Sequence, residues 1–198
     1  MRLMRILHGG RSHVFDGQGS QHYDRLARRL FRGVYRRLAR DIAQAAPEGG
    51  AVLDVGTGPG VLLSELARLR PDLQLTGIDL SSDMITAAKR NLTPHATRAT
   101  ALVGDVTQLP LADRSVDLIV SSFSLHHWDN PQAAIPELAR VLRPGGRVHI
   151  YDFRFAPFDV LTAAAQTHSV LGGQTPQQTP IRTGTPLLPR CVRLVMSS

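Results

Sequence analysis

Asp54 stands two residues ahead of three glycines at alternate positions, Gly56, Gly58 and Gly60, with Thr57 inside the run. Glycine lets a chain turn sharply and lets a ligand approach main-chain atoms that a Cβ would shield. Asp79 follows nineteen residues after Gly60. That is where nucleotide-binding folds place the acidic residue that hydrogen-bonds a ribose, and one carboxylate can accept from both the 2′ and 3′ hydroxyls. Farther on, His126 and His127 are adjacent. Imidazole titrates near neutrality, which makes either a candidate base. Neighbours on a helical turn diverge, so one of the two is expected to face a cleft. The plainer account of both is wall-forming and helix-capping. Tyr23, with His22 beside it, is a further candidate for closing the cleft from the N-terminal side, with core packing as its alternative. No metal site is expected.

These residues need elements that hold them together. Val52, Leu53 and Val55 form an apolar β-rich run, read as a buried parallel strand. An amphipathic stretch begins at Val61, with Leu62, Leu66 and Leu69 on one face. The glycine turn joins the two, and amides at the start of that helix point into the same space. Gln74–Leu80 reads as a second strand carrying Asp79 and Leu80 at its end. Ser81 or Ser82 caps a helix to about Asn91 that begins at Met84. A third short strand, Ala101–Val103, leads into Gly104-Asp105-Val106, and a fourth ends in Ser121-Ser122. Open α/β sheets bind ligands beyond such strand ends, where the strand order reverses. A helix opened by Asn130-Pro131 runs to about Leu142, Arg143–Gly146 is a turn, and Arg147–Tyr151 is the fifth strand. One more helix is expected over Asp159–Val170, a mobile loop over His168–Pro180, and closing strands at Ile181–Thr183 and Val192–Met196.

The spacing G-x-G-x-G after Asp54 differs from the dinucleotide fingerprint G-x-G-x-x-G, which disfavours a nicotinamide-dependent dehydrogenase. It resembles the first motif of the class I S-adenosylmethionine-dependent methyltransferases. A carboxylate at Asp54 suits a cationic cofactor and would repel a pyrophosphate. Gly104-Asp105-Val106 with Leu109-Pro110 is similar to that family's adenine-recognising segment, and Leu125-His126-His127-Trp128 and Leu142-Arg143-Pro144-Gly145-Gly146 resemble its ubiquinone/menaquinone-biosynthesis subgroup. The resemblance spans about Ala51–Phe153. It implies a single α/β domain, Rossmann-like and doubly wound, with a mostly parallel seven-stranded sheet and a C-terminal antiparallel hairpin. It implies S-adenosylmethionine held by Asp54, Gly56, Thr57, Gly58, Gly60, Asp79, Leu80, Met84, Asp105, Val106, Ser121 and Ser122. Within that set Asp79 takes the ribose, Met84 packs on adenine, and Asp105 and the Val106 amide read its edge. The implied reaction is methyl transfer to a small molecule through an oxygen, nitrogen or carbon nucleophile.

At 198 residues the chain suits one domain with a sizeable core. The expected layout is a tail over 1–20, a basic helical cap over 21–46 and the catalytic domain over 47–198. The helical pattern of the cap comes from Tyr23, Leu26, Leu30, Val34, Leu38 and Ile42, with a break expected near Gly33. No run approaches the ~18 apolar residues of a membrane span. Met1–Gly10 lacks a signal-peptide pattern, and the single Cys191 allows no internal disulfide, so a cytoplasmic monomer or homodimer is expected. The net charge is +7, and Met1–Ala46 carries ten arginines against three aspartates while the remainder balances. That segment could engage nucleic acid, which keeps open a nucleic-acid methyltransferase using Arg25–Arg40. A solvated helix face is the plainer account. A catalytically silent cofactor-binding protein is the third reading.

Overall fold

A computed structural model of the chain describes residues 32–168, 171, 176–181 and 190–198. The order along the chain is α1 (Arg32–Ala45), β1 (Ala51–Val55), α2 (Val61–Leu69), β2 (Gln74–Asp79), α3 (Ser82–Leu92) and β3 (Ala99–Val103), followed by β4 (Val116–Ser122), α4 (Pro131–Val141), β5 (Leu142–Phe153), α5 (Phe158–His168), β6 (Gln177–Ile181) and β7 (Cys191–Ser197). Seven strands form one sheet in the order β3-β2-β1-β4-β5-β7-β6. Strands β1 to β5 pair in parallel, and β7 runs antiparallel to both its neighbours. The chain winds outward from β1 to β3, then crosses to β4 on the other side of β1. The switch point therefore lies at the carboxyl ends of β1 and β4, the place where such sheets bind ligands.

Alternation along the strands divides the core between the two faces. Val52 packs with Val34, Leu38, Ile42, Leu62, Leu66, Tyr151 and Phe153, under α1, α2 and α3. Its neighbour Leu53 packs with Val55, Ile119, Ile135, Leu138, Val148, Ile150 and Leu161, under α4 and α5. Each fully buried side chain of this size contributes about 1.5–3 kcal/mol. The period-2 pattern thus fixes which residue of β1 faces which layer.

Helix α1 turns Val34, Tyr35, Leu38, Ala39 and Ile42 inward and its arginines outward, and its described part begins at Arg32, beside the break expected near Gly33. Carbonyls at and just beyond its end need donors. Arg70 donates to the oxygens of Ala43 (2.6 Å), Ala46 (3.1 Å) and Pro47 (3.0 Å), the last shared with the Gly50 amide, while Asp72 holds the guanidinium.

Three boundaries differ from the sequence reading. Strand β3 starts at Ala99. Strand β5 starts at Leu142, which pairs with Val116, and the ladder resumes at Arg147 opposite Leu118. Arg143–Gly146 is the excursion between these rungs, turned at Gly145 with φ +77°, so the expected turn exists as an irregularity inside the strand. Gln177–Pro180, expected in a loop, is strand β6, paired with β7 along Val192–Val195. A proline and exposed polar side chains suit an edge strand and conceal it from pattern reading. Residues 169–170 of the expected fifth helix and Arg182-Thr183 of the expected strand lie outside the described residues, as do the proposed 1–20 tail and 21–31 of the cap.

Candidate active site

The glycine turn is built on β2 as much as on β1. The amides of Gly56 and Thr57 both donate to the Ile78 carbonyl, at 2.8 and 2.9 Å. Gly56, Gly58 and Gly60 take φ values of +71°, +52° and +72°, a region side chains with a Cβ rarely adopt. Gly56 carries a second requirement. A Cβ there would stand 1.9 Å from Ser124 Oγ and 2.4 Å from Ser124 Cβ. The segment after β4 therefore sits directly on the turn after β1.

Asp54 has no exposed surface. Its Oδ2 accepts from the Thr57 hydroxyl at 2.8 Å, and its Oδ1 has no partner. Burial pushes the carboxyl up to about 7, the Thr57 bond opposes the shift, and the neighbouring charge of Asp79 adds to it. Asp79 uses both oxygens on main chain. Oδ2 accepts from Gly58 N at 2.8 Å and Oδ1 from Ser81 N at 3.0 Å. Burial raises its carboxyl, and those two amides pull the other way. The Asp79 carbonyl in turn accepts from Gly104 N at 3.1 Å, which brings Asp105 to the same rim. Asp105 is exposed and takes the Thr107 amide on Oδ1 at 2.8 Å.

Other residues singled out from the sequence divide into surface and core. Leu80 is 63% exposed beside Asp79, whereas Met84 is 4% exposed, its amide capped by the Ser81 hydroxyl at 3.3 Å. Leu80 is thus the open apolar surface next to Asp79, and Met84 is packed inside. Val106 is half-buried. Ser121 and Ser122 are buried at the end of β4, and Ser121 Oγ has no partner. Tyr23 and His22 lie outside the described residues.

Beyond Ser122, Phe123 takes φ +55°, its amide donating to the Tyr151 carbonyl at 2.8 Å. This kink throws Ser124 over Gly56 and starts the Leu125–His127 turn. The Trp128 indole donates to Ser124 Oγ at 2.9 Å and pins the turn. His126 and His127 diverge. His126 turns inward, its Nδ1 2.8 Å from Asp152 Oδ1 and its amide donating to Asp152 Oδ2 at 3.2 Å. Its Nε2 is buried without a partner, and its ring lies 5.3 Å from that of Phe153 and 5.9 Å from that of Phe155. His127 is the more exposed, its ring 4.0 Å from that of His126 and tilted against it. Partial burial of its ring, then the adjacent imidazole, hold it below the ordinary histidine range.

Sequence reasoning passed over Asp152. It lies near the end of β5 with no exposed surface and belongs to no motif used above. The one available signal was a lone carboxylate near the carboxyl end of a parallel strand, where open α/β sheets bind ligands. It also passed over Ser124, whose contact with Gly56 joins the two halves of the site.

The chain is similar to known methyltransferases. A family model described as a methyltransferase domain matches residues 53–150. The ubiquinone/menaquinone biosynthesis C-methyltransferase of Syntrophotalea carbinolica is 36% identical over 135 residues, covering 66% of this chain and 56% of that one. The malonyl-[acyl-carrier protein] O-methyltransferase of Herminiimonas arsenicoxydans is 38% identical over 133 residues, covering 66% and 46%. The chain thus spans about half the length of these curated relatives. Among solved structures, an S-adenosylmethionine-dependent methyltransferase from Aquifex aeolicus superposes with a TM-score of 0.67 at 21% identity, covering 92% of this chain and 98% of that one. The [4+2]-cyclase SpnF superposes equally well, at 0.67 and 19% identity over 91% and 95%, so the fold by itself does not select the reaction. With the glycine turn and the two rim carboxylates beside the sequence match, residues 53–150 form a methyltransferase domain, similar to the class I S-adenosylmethionine-dependent methyltransferases.

Proposed function

We propose that this chain catalyses methyl transfer from S-adenosylmethionine to a small, largely apolar acceptor, with His126 removing the acceptor's proton. The observation that carries the reading is the seating of Ser124 on Gly56. It sets the His126 turn over the cofactor turn within one small site.

The residues fit the cofactor. Asp54 Oδ1 is a buried acceptor without a protein donor, and a carboxylate there favours a cationic, N–H-bearing group over a phosphate. In this reading the glycine turn lies under the methionyl and ribose part, with Gly58, Gly60 and Thr57 shaping it. Asp79 keeps free lone pairs for ribose hydroxyls, Leu80 flanks the adenine with Met84 packed behind it, and Asp105 with the Val106 amide reads its edge. Ser121 and Ser122 close the floor. When bound, S-adenosylmethionine supplies an electrophilic methyl group. The chain's own part is to orient the acceptor, exclude water and take a proton. Phe155, 52% exposed and stacked 5.4 Å from Phe153, offers the acceptor an apolar wall. Relatives named for carbon and for oxygen methylation both match here; a carbon or hydroxyl acceptor must shed a proton as it is methylated, whereas a carboxylate oxygen has none to lose.

A small acceptor is preferred over nucleic acid because the basic face is partly neutralised. Arg32, Arg36 and Arg68 converge on Glu65 at 3.3, 3.5 and 3.1 Å. The same reading places the protein in the cytoplasm as a monomer or homodimer. Its cysteine is a buried free thiol, and among the described residues no helix is long and apolar enough to cross a membrane.

The test is calorimetric titration with S-adenosylmethionine, followed by incubation of wild type and His126→Ala with methyl-labelled cofactor and a panel of phenols, quinols and 1,3-dicarbonyls. Labelled product from wild type, lost in the variant, is the expected result. Tight cofactor binding with no labelled product on any acceptor would leave the silent-binder reading in its place.

A further inference from the structure

We infer that Asp152 is a positioning residue that dictates which nitrogen of His126 exchanges the proton; the inference rests on the methyl-transfer reading above only for its consequence in turnover. Three N–H groups converge on the two Asp152 oxygens. His126 Nδ1 lies at 2.8 Å on Oδ1, the Phe153 amide at 2.7 Å also on Oδ1, and the His126 amide at 3.2 Å on Oδ2. A carboxylate only accepts, so Nδ1 carries its hydrogen whether the ring is neutral or cationic. The exchangeable site is then Nε2 in both states. This reverses the preference of a histidine in water, where the hydrogen of the neutral ring favours Nε2.

The second bond, from the His126 backbone, makes the arrangement rigid. The same carboxylate holds the residue's main chain and its ring, so the amide bond fixes where the side chain starts and rotation about χ1 forfeits the ring bond. The resulting free atom, Nε2, is the ring nitrogen that is buried and lacks a partner. It sits in an aromatic surround of Phe153 and Phe155, on the turn that covers Gly56. Among the described residues the charged or titratable groups facing the pair are Asp152 itself, the tilted ring of His127 and the buried thiol of Cys191, whose ionisation burial and then Asp152 oppose.

In the proton step the acceptor's X–H proton bonds to the Nε2 lone pair, and the X–H electron pair stays on the acceptor. The positive charge this leaves on the ring is balanced by Asp152. The proton then passes from Nε2 to water. Orientation of a base by a buried carboxylate recurs in unrelated enzymes, but here the carboxylate comes from β5 and the base from the turn after β4.

The test needs no substrate for its first reading. Long-range proton–nitrogen correlation spectra of the wild-type protein, without cofactor, should show His126 with its hydrogen on Nδ1 and a nonprotonated Nε2 above the imidazole's titration. Asp152→Asn should lose that fixed pattern and move the hydrogen toward Nε2. In turnover, Asp152→Asn should lower kcat by on the order of 100-fold, with the acceptor KM and the cofactor affinity within about threefold of wild type. Asp152→Glu should restore part of the rate. A wild-type ring protonated on Nε2, or an Asp152→Asn protein with unchanged tautomer and pH–rate profile, overturns the inference. An Nδ1-protonated ring in a protein that methylates nothing would instead remove the reaction while leaving the tautomer assignment standing.

Discussion

Replacing Asp54 by asparagine should make the cofactor-free protein more stable at pH 8 and weaken its hold on the cofactor. The carboxyl is fully buried, and its burial raises the pKa from 3.8 to about 7. That displacement of about three units is worth about 4 kcal/mol at ~1.4 kcal/mol per unit. A folded-state pKa above the unfolded one means the native protein binds the extra proton. This contribution to stability is therefore full below about pH 4, declines as pH rises through about 7, and stays lost above that. Asparagine has nearly the same shape and can still meet the Thr57 hydroxyl, but it does not titrate. Urea unfolding of both proteins at closely spaced pH values should show wild type roughly equal to the variant at pH 4 and about 4 kcal/mol less stable at pH 8. Saturating S-adenosylmethionine should narrow the gap at pH 8, because it supplies the missing partner to Oδ1. A stability difference that stays constant from pH 4 to pH 8 would refute the reasoning.

The wild-type profile alone would conceal this effect. His149, 4% exposed, has its pKa lowered to about 4, chiefly by burial and then by Arg193, against an ordinary 6.5. Its sign is opposite. The unfolded chain binds the extra proton, so stability is present above pH 6.5 and is lost as pH falls through 4, by about 3 kcal/mol. Between pH 4 and 6.5 the two groups nearly cancel. His149→Gln should therefore unmask a steep fall of stability with rising pH, read in the same urea series. Gly56→Ala and Gly58→Ala form a second pair. Both impose a left-handed φ on alanine, worth about 1–2 kcal/mol, but only the Cβ at 56 meets a neighbour, Ser124 Oγ at 1.9 Å, while that at 58 meets nothing within 4 Å. Thermal melts should shift more for Gly56→Ala, and only that variant should disturb the Trp128 fluorescence. Arg70→Ala removes the guanidinium bonds to the Ala43 and Ala46 carbonyls, and one of the two donors to Pro47, and should lower stability by about 2–3 kcal/mol in urea.

What could be read from the sequence follows from where backbone geometry admits few residue types. Gly56, Gly58 and Gly60 are required by positive φ values, so their spacing reports the turn and, through it, β1 and α2. Ser81 and Asn130 cap α3 and α4 as their side chains and positions imply. Asp152 could not be read, because its meaning depends on a partner 26 residues away across the β4–β5 crossover. The β5 start was hidden for a related reason. Leu142 joins the ladder by pairing with Val116, a long-range register that Pro-Gly-Gly locally contradicts. At β6, edge position replaces apolar patterning, since its residues are exposed except for the half-buried Ile181.

The placement of unsatisfied polar atoms ties these observations together. A buried donor or acceptor left without a partner costs about 1–3 kcal/mol, so folded proteins keep few. Among the described residues four side-chain atoms stand so: Asp54 Oδ1, Ser121 Oγ, His126 Nε2 and Arg193 Nε. Arg193 belongs to a structural network, holding Asp41 of α1 at 2.8 Å beside the Tyr151 hydroxyl. The other three come from β1, the end of β4 and the turn that follows it, all at the carboxyl edge around the switch point. Random imperfection would scatter such atoms over both faces and both ends of the sheet. Their gathering at one edge is what a ligand site requires, because the partners that would satisfy them are not part of the chain. It also explains why Asp54 lies in a strand buried at all but its first residue: there the charge destabilises the empty protein, and the same desolvation strengthens its attraction for a cation that enters.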